Sequence, residues 1–367
     1  MEVNGTVGVG LESVADAFAA NFETHGEIGA AACVYRDGRP VVDIWAGLAD
    51  RDTGRPWKSD TPVLTFSSTK GFTAACTHLL VERGLLDLDA PIASYWPEFA
   101  AHGKENIPVR WILCHKAGVP AVDATLTLDQ VLAWDPVVAA VAAQRPEWPP
   151  GTDHGYHART FGWITGEIVR RITGQSLGRF LAAEIARPLG LDFWVGLPPE
   201  IEPRVAPLHP PAQQPIDPRS LLGRVLFGPS NLFARNDIWN RPELHAAEFP
   251  SSNGIGTAHA LARHYAALVG EVDGRRTLRP ETVADATAIQ AEGQDRVLGV
   301  PTTFGLGFML DPGGVPHTFG HAGSGGSLGF ADPENGIGFG YVMNRMIGTG
   351  PDDGRAARLA EALYRCL

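Results

Sequence analysis

Lysine is scarce in this chain. Of 30 basic residues only Lys58, Lys70, Lys104 and Lys116 are lysine; the rest are arginine. No dense run of Lys and Arg exists, and the net charge is −11. Nucleic acid and anionic membrane surfaces are thereby disfavoured as partners. Cysteine is also sparse. Cys33, Cys76, Cys114 and Cys366 lie far apart and form no C-x-x-C, so free or buried thiols are expected, with one disulfide left open. No apolar run approaches the length of a bilayer span. The opening Met1-Glu2-Val3-Asn4-Gly5 lacks the basic and apolar regions of a signal peptide. A soluble, cytoplasmic protein is the expectation. Neither a Walker A sequence nor a dinucleotide fingerprint is present, so no nucleotide cofactor is implied.

What remains is a globular composition. The chain has 367 residues, 44% hydrophobic and 19% charged, with nine Trp. That is room for one large or two medium domains. Helical spacing is expected over Val14 to Phe22, from Phe72 to a stop at Gly84, over Thr160 to Ile172, near Thr257 to Leu268, and from Gly354 to Tyr364. Ala31 to Tyr35 and Pro40 to Trp45 flank Asp37-Gly38, a hairpin signal. Further strands are expected at Phe304 to Leu310, Ser327 to Ala331 and Ile337 to Met343. Pro203 to Pro218 reads as a long surface loop. Strands thus occur at both chain ends, with a helical insert between them. The expected division is residues 1–66 and 255–367 as an α/β unit and 67–254 as a mainly helical one, with the site at their interface.

Against this background Ser67-Ser68-Thr69-Lys70 stands out. A lysine amine can be deprotonated near neutral pH when desolvated, whereas arginine cannot. Residues three apart share one helix face, so Lys70 can take a proton from the Ser67 hydroxyl. Ser68 points elsewhere. An N-cap role accounts for a serine here equally well, so the tetrapeptide alone leaves both readings open. Three further segments bear on it: Leu113 to Pro120, Gly151 to Ala158, and Gly320 to Ser327. A tyrosine phenolate can share a proton with the lysine, and a strand of small residues can bring a backbone N–H beside the nucleophile.

With these residues in place, the chain resembles the serine β-lactamase and penicillin-binding-protein superfamily, and in particular the family VIII carboxylesterases. The ordered motifs are Ser67-x-x-Lys70, Tyr156-His157-Ala158 in the place of Tyr-x-Asn, and His321-Ala322-Gly323 in the place of Lys-Thr-Gly. The segment ending at His115 and Gly118 also fits. The resemblance implies an α/β (α+β) fold with an antiparallel sheet, flanking helices and a helical domain. It implies catalysis by Ser67, Lys70 and Tyr156, and an oxyanion hole from the backbone N–H groups of Ser67 and Ser324. His115, His157, His321, Ala322 and Gly323 would line the substrate site.

Two departures bear on substrate. Ala158 stands where an Asn would hold a β-lactam side chain, and His321 where a Lys would attract its carboxylate; no lysine follows Lys116. Losing a charged hydrogen-bond partner costs roughly 2–5 kcal/mol. Efficient β-lactamase or peptidase action is therefore disfavoured. The expectation is ester hydrolysis through an acyl-enzyme, with Lys70 and Tyr156 as base and acid. An acyltransferase, a β-lactamase or peptidase, and a silent scaffold are the rivals. The expected partner is a small ester or acyl substrate, and a homo-oligomer is left open. No metal and no cofactor are expected: His154 and His157 lack a third ligand at suitable spacing. Gly325-Gly326-Ser327-Leu328-Gly329 matches G-x-S-x-G, but no histidine follows His321, so the chain order of that triad cannot be met.

Overall fold

The computed structural model describes residues 2–210, 216–347 and 354–367. Nine strands form the main sheet: β1 (Asn4–Val7), β2 (Gly29–Arg36), β3 (Arg39–Asp50), β4 (Ala291–Gln294), β5 (Pro301–Phe304), β6 (Met309–Leu310), β7 (Phe319–Ala322), β8 (Leu328–Asp332) and β9 (Ile337–Met343). Their spatial order is β1-β3-β2-β9-β8-β7-β6-β5-β4, and every pairing is antiparallel. A two-residue strand, Arg55–Pro56, adds to β3. The two chain ends meet at the β2–β9 pair, where Cys33 lies opposite Gly340. The β2–β3 hairpin turns at Asp37-Gly38, with φ of 50° and 76°. Those two left-handed residues are what a tight hairpin turn requires, and Asp-Gly supplies them.

Five helices set the layers: α1 (Glu12–Thr24), α2 (Thr69–Glu82), α3 (Thr160–Thr173), α4 (Ala258–Val269) and α5 (Arg355–Tyr364). Helix α4 lies flat on one face of the sheet. A Cβ on Gly338 would sit 2.3 Å from the Ala262 carbonyl oxygen, and one on Gly340 would sit 2.3 Å from that of Ala258. Glycine at these strand positions lets the helix backbone approach. Alternate residues of β9 point the other way. There Tyr341 donates to Glu27, which pairs at 2.6 Å with Arg355, both fully buried. Asn21 of α1 donates to the Arg355 carbonyl, so α1 and α5 pack together on this second face. Helix α4 in turn meets α2 through a stack in which Phe72 lies between Phe193 and His264, at 3.6 and 3.9 Å.

Several expectations need correction. Phe304 to Leu310 is not one strand. It breaks after Phe304, where Leu306 N–H bonds to the Ala286 carbonyl and Gly307 N–H to that of Leu113, and it resumes at Met309. A helix at Pro280–Thr287 and strand β4 precede it. Within Pro203 to Pro218 the described residues are not all surface: Val205, Ala206 and Leu208 are buried, and Arg55 holds the carbonyls of Arg204 and Val205. Residues 211–215 of that segment lie outside the described residues. All four cysteines are free thiols. Among the described residues no helix is long and apolar enough to cross a membrane.

Candidate active site

A second, three-stranded sheet pairs Val63–Leu64 with Ile255–Gly256, and the latter with Phe193–Trp194. The chain leaves Val63–Leu64 directly into the turn that carries Ser67. Thr65 N–H bonds to the Gly254 carbonyl at 2.8 Å, and Thr69 Oγ1 both donates to the Phe66 carbonyl and accepts from Gly254 N–H. Phe66 has a φ of 46°. A bulky side chain in that region costs on the order of 1–3 kcal/mol and is held only where its surroundings over-determine it. Ser67 follows at once, and helix α2 begins two residues later at Thr69. Ser67 is thus not the cap: the residue flanking the helix is Ser68, whose side chain makes no capping bond.

Ser68 and Ser327 stitch this turn to the sheet. Ser68 Oγ donates to the His321 carbonyl at 3.2 Å and lies 3.0 Å from Ser327 Oγ, which donates to the Thr65 carbonyl at 2.7 Å. Ser327 is therefore a buried cross-tie. The same packing places Gly323 against the turn: a Cβ there would sit 2.2 Å from the Thr65 carbonyl oxygen. Ser324 is the next residue along. The carbonyl of Gly325 accepts from buried Arg355, which ties this loop to the C-terminal helix.

Ser67, Lys70 and Tyr156 converge. Lys70 Nζ lies 3.1 Å from Ser67 Oγ, and Tyr156 Oη lies 2.8 Å from the same oxygen. Lys70 also reaches the carbonyls of Ala158 and Ser251, each at 3.0 Å. It is fully buried with no carboxylate partner among the described residues. Burial holds its amine well below the usual lysine value, and the Arg159 guanidinium adds to the effect. A neutral amine has two N–H groups and one lone pair. The two carbonyls take the N–H groups, and the lone pair is left for the Ser67 proton. Tyr156 shifts the other way: burial pushes its phenol above the usual range, against the opposing effect of the Ser67 hydrogen bond. Tyr156 Oη donates to Ser67 Oγ, in keeping with a phenol held neutral by burial.

The histidines divide. His157 does not reach the substrate side. It is fully buried, its Nε2 accepts from Val119 N–H at 3.0 Å, and its Nδ1–H donates to the Gly155 carbonyl at 2.7 Å. His115 accepts from His157 N–H at 3.1 Å and packs its ring on Tyr156 and Phe304. Both histidines shape the loop behind Tyr156. His154 bonds instead to Thr302. The His321 ring centroid stands 5.9 Å from that of Tyr156; its Nδ1–H donates to the Ala322 carbonyl, and its buried Nε2 has no hydrogen-bond partner among the described residues. Burial pushes His157 and His321 down to about 3, so both are neutral at neutral pH.

Sequence reasoning missed three contributors. Asp295 accepts from the N–H groups of Tyr156, Val297 and Leu298, which fastens the tyrosine loop to the β4–β5 hairpin. The Ser251 carbonyl has no side-chain signature. Arg159 adjoins the tyrosine motif and was the one signal available. Around Tyr156 a separate apolar cluster gathers Trp148, Val225, Val297 and Phe304, with Leu222 and Leu226 packed at its edge.

Comparisons with known proteins bear on the family. Residues 14–364 match the Beta-lactamase family. The chain is 39% identical over 360 residues to Esterase/beta-lactamase LipL of Mycobacterium tuberculosis, covering 91% of this chain and 81% of that one. It is similar to a solved family VIII carboxylesterase, with 38% identity, a TM-score of 0.90 and 100% of both chains covered. It is also similar to the solved EstA of Arthrobacter nitroguajacolicus Rue61a, with 34% identity, a TM-score of 0.90, and 100% and 98% of the two chains covered. An antiparallel sheet with flanking helices, the Ser-x-x-Lys turn and a sequence match across nearly the whole chain lead to one assignment: this chain belongs to the Beta-lactamase family.

Proposed function

We propose that this protein is a serine carboxylesterase that works through an acyl-enzyme on Ser67. The observation that carries the reading is the placement of Lys70 Nζ and Tyr156 Oη on the one Ser67 oxygen, at 3.1 and 2.8 Å. Neutral Lys70 takes the Ser67 proton as Oγ attacks the ester carbonyl. The backbone N–H groups of Ser67 and Ser324 receive the tetrahedral oxyanion. Tyr156 gives its proton to the departing alkoxide and is reprotonated by the Lys70 ammonium. The alcohol thus leaves with the proton of Tyr156, and the proton lost by Ser67 replaces it by way of Lys70. Water then attacks the acyl-enzyme, losing its proton along the same path, and Ser67 is restored as the acid leaves.

Support comes from the relatives, whose names include esterase and carboxylesterase. The apolar cluster beside Tyr156 suits an uncharged hydrocarbon portion of the substrate. A second reading, lactam hydrolysis, is favoured by the double name of the mycobacterial relative. It is weakened by Ala158 and His321, which leave a lactam without two polar anchors. Hydrolysis of p-nitrophenyl acetate and of nitrocefin, by wild type and Ser67→Ala, tests both. The proposal expects ester turnover that falls by about 10³-fold or more in the variant, with nitrocefin turned over far more slowly. Unchanged ester turnover in Ser67→Ala contradicts it.

A further inference from the structure

Arg159 is a cation that lacks a counter-ion among the described residues. Among the described residues it makes no ion pair, in contrast to Arg355, whose buried guanidinium meets Glu27 at 2.6 Å. Among the described residues only its Nη2 has a hydrogen-bond partner, the Leu226 carbonyl at 3.0 Å, and its buried Nε has none. Its guanidinium carbon lies 4.6 Å from the Trp239 centroid and 5.2 Å from that of Phe233, two rings that stack on each other and so flank it from one side. Aromatic contact from one side holds a guanidinium by cation–π attraction and leaves its other side for a ligand. Residues 154–158 and Thr160 are buried, whereas Arg159 keeps partial exposure.

Its position relates to the nucleophile in two ways. Trp239 packs edge-on against Phe66 at 5.1 Å, and Phe66 immediately precedes Ser67. The Arg159 carbonyl accepts from Ser251 Oγ, while the Ser251 carbonyl holds Lys70. Burial brings the guanidinium down to about 10, so it stays charged at neutral pH. The chain has no lysine in its third motif, where His321 stands. On the tyrosine side Arg159 is a cation close enough to act on Lys70.

We propose that Arg159 is an anion-binding subsite of the ester cleft, and that the preferred substrate is an ester whose acyl half carries a carboxylate. This deepens the ester-hydrolase reading and rests on it. The planar guanidinium offers two parallel N–H donors, which match a carboxylate in a way an ammonium does not. Leu226, Trp239 and Phe233 exclude water around the pair, which strengthens it relative to a surface pair. The net charge of −11 makes a local cation the condition for admitting an anionic substrate at all.

A matched pair of substrates tests this: the p-nitrophenyl half-ester of adipic acid and p-nitrophenyl hexanoate. The measured quantity is the ratio of their kcat/KM values in wild type, Arg159→Met and Arg159→Lys. Because Arg159 also acts on Lys70, both rates are free to change in the variants, and only the ratio is read. The expected wild-type ratio exceeds one and falls with added salt. Arg159→Met lowers the ratio about tenfold or more, the loss of one good charge contact, chiefly through KM for the half-ester, and Arg159→Lys restores part of it. A wild-type ratio at or below one, or an equal fall for both esters, overturns the assignment. Should Arg159→Met not fold, inhibition of wild-type hexanoate hydrolysis decides: adipate must compete better than hexanamide, and equal competition overturns the proposal. Hydrolysis of both esters without preference sinks the subsite alone. Failure to cleave either ester, with Ser67 unreactive to a phosphonate, sinks the hydrolase reading as well.

Discussion

At the scale of single residues, the account rests on two opposite displacements around one oxygen. Burial drives the Lys70 amine down and the Tyr156 phenol up, which suits the first as base and the second as acid in the proposed mechanism. A desolvated amine is also a stability cost. The unfolded lysine titrates near 10.4, and the folded one titrates lower. Across that window the unfolded chain binds the extra proton, so this group's contribution makes stability rise with pH. Lys70→Met therefore abolishes ester turnover and raises unfolding free energy at neutral pH by about 0.5–2 kcal/mol; urea melts of the two proteins check it. Tyr156→Phe removes the acid but keeps the ring. Its kcat is expected to fall roughly 10²–10⁴-fold with KM little changed. The convergence of Ser67, Lys70 and Tyr156 was legible because side-chain chemistry at fixed spacing is written in sequence. The Ser251 and Ala158 carbonyls were not, since any residue supplies a carbonyl and only the fold aims it. His157 misled because a histidine beside the motif tyrosine looks available, yet both its nitrogens are spent on backbone groups.

At the scale of elements, glycines govern how closely helix α4 meets the sheet. Gly338 has two backbone atoms in the way of any side chain, Ala262 O at 2.3 Å and Ala266 N at 2.4 Å from an added Cβ. Backbone cannot swing aside as a side-chain tip can. Gly338→Val is expected to cost more than about 4 kcal/mol or to prevent folding. Gly174 makes the contrast. It ends helix α3 with a φ of 70° and nothing near its Cβ direction, so Gly174→Ala costs only about 1 kcal/mol. Thermal melts of the pair separate steric closure from backbone strain. The α3 helix and the Asp37-Gly38 hairpin were legible because local chemistry decides them. Strand β4, Ala291-Glu292-Gly293-Gln294, was not: it has no apolar alternation, and pairing with Pro301–Phe304 makes it a strand. The break between Phe304 and Met309 was hidden for the same reason, since tertiary bonds to Ala286 and Leu113 bend an otherwise strand-like run.

At the scale of the whole molecule, the antiparallel sheet from both chain ends, with Ser67 in the turn leaving a second small sheet, places the reacting groups in a buried, weakly hydrated setting. That setting has a cost in acid. His157, His264 and His321 are held neutral, each pushed by burial down to about 3. Unfolded histidine titrates near 6.5, so below that pH the unfolded chain takes up protons the folded chain refuses. Stability is then lost as pH falls from about 6.5 toward 3, by up to about 1.4 kcal/mol per pH unit for each such histidine. Urea melts between about pH 7 and pH 5 should show the decline, and a flat profile would count against the burial of these rings. Strands at both ends of the chain were legible from their composition; the meeting of β2 with β9 was not, because pairing between distant segments leaves no local mark. The claim on which the rest depends is that Ser67 is the nucleophile. Intact-mass spectrometry after incubation with a p-nitrophenyl alkyl phosphonate, on wild type and Ser67→Ala, tests it most directly. The account predicts one adduct on wild type, mapped to Ser67 and absent from the variant. An adduct of equal yield on folded Ser67→Ala, or none on folded wild type that still cleaves esters, would contradict it.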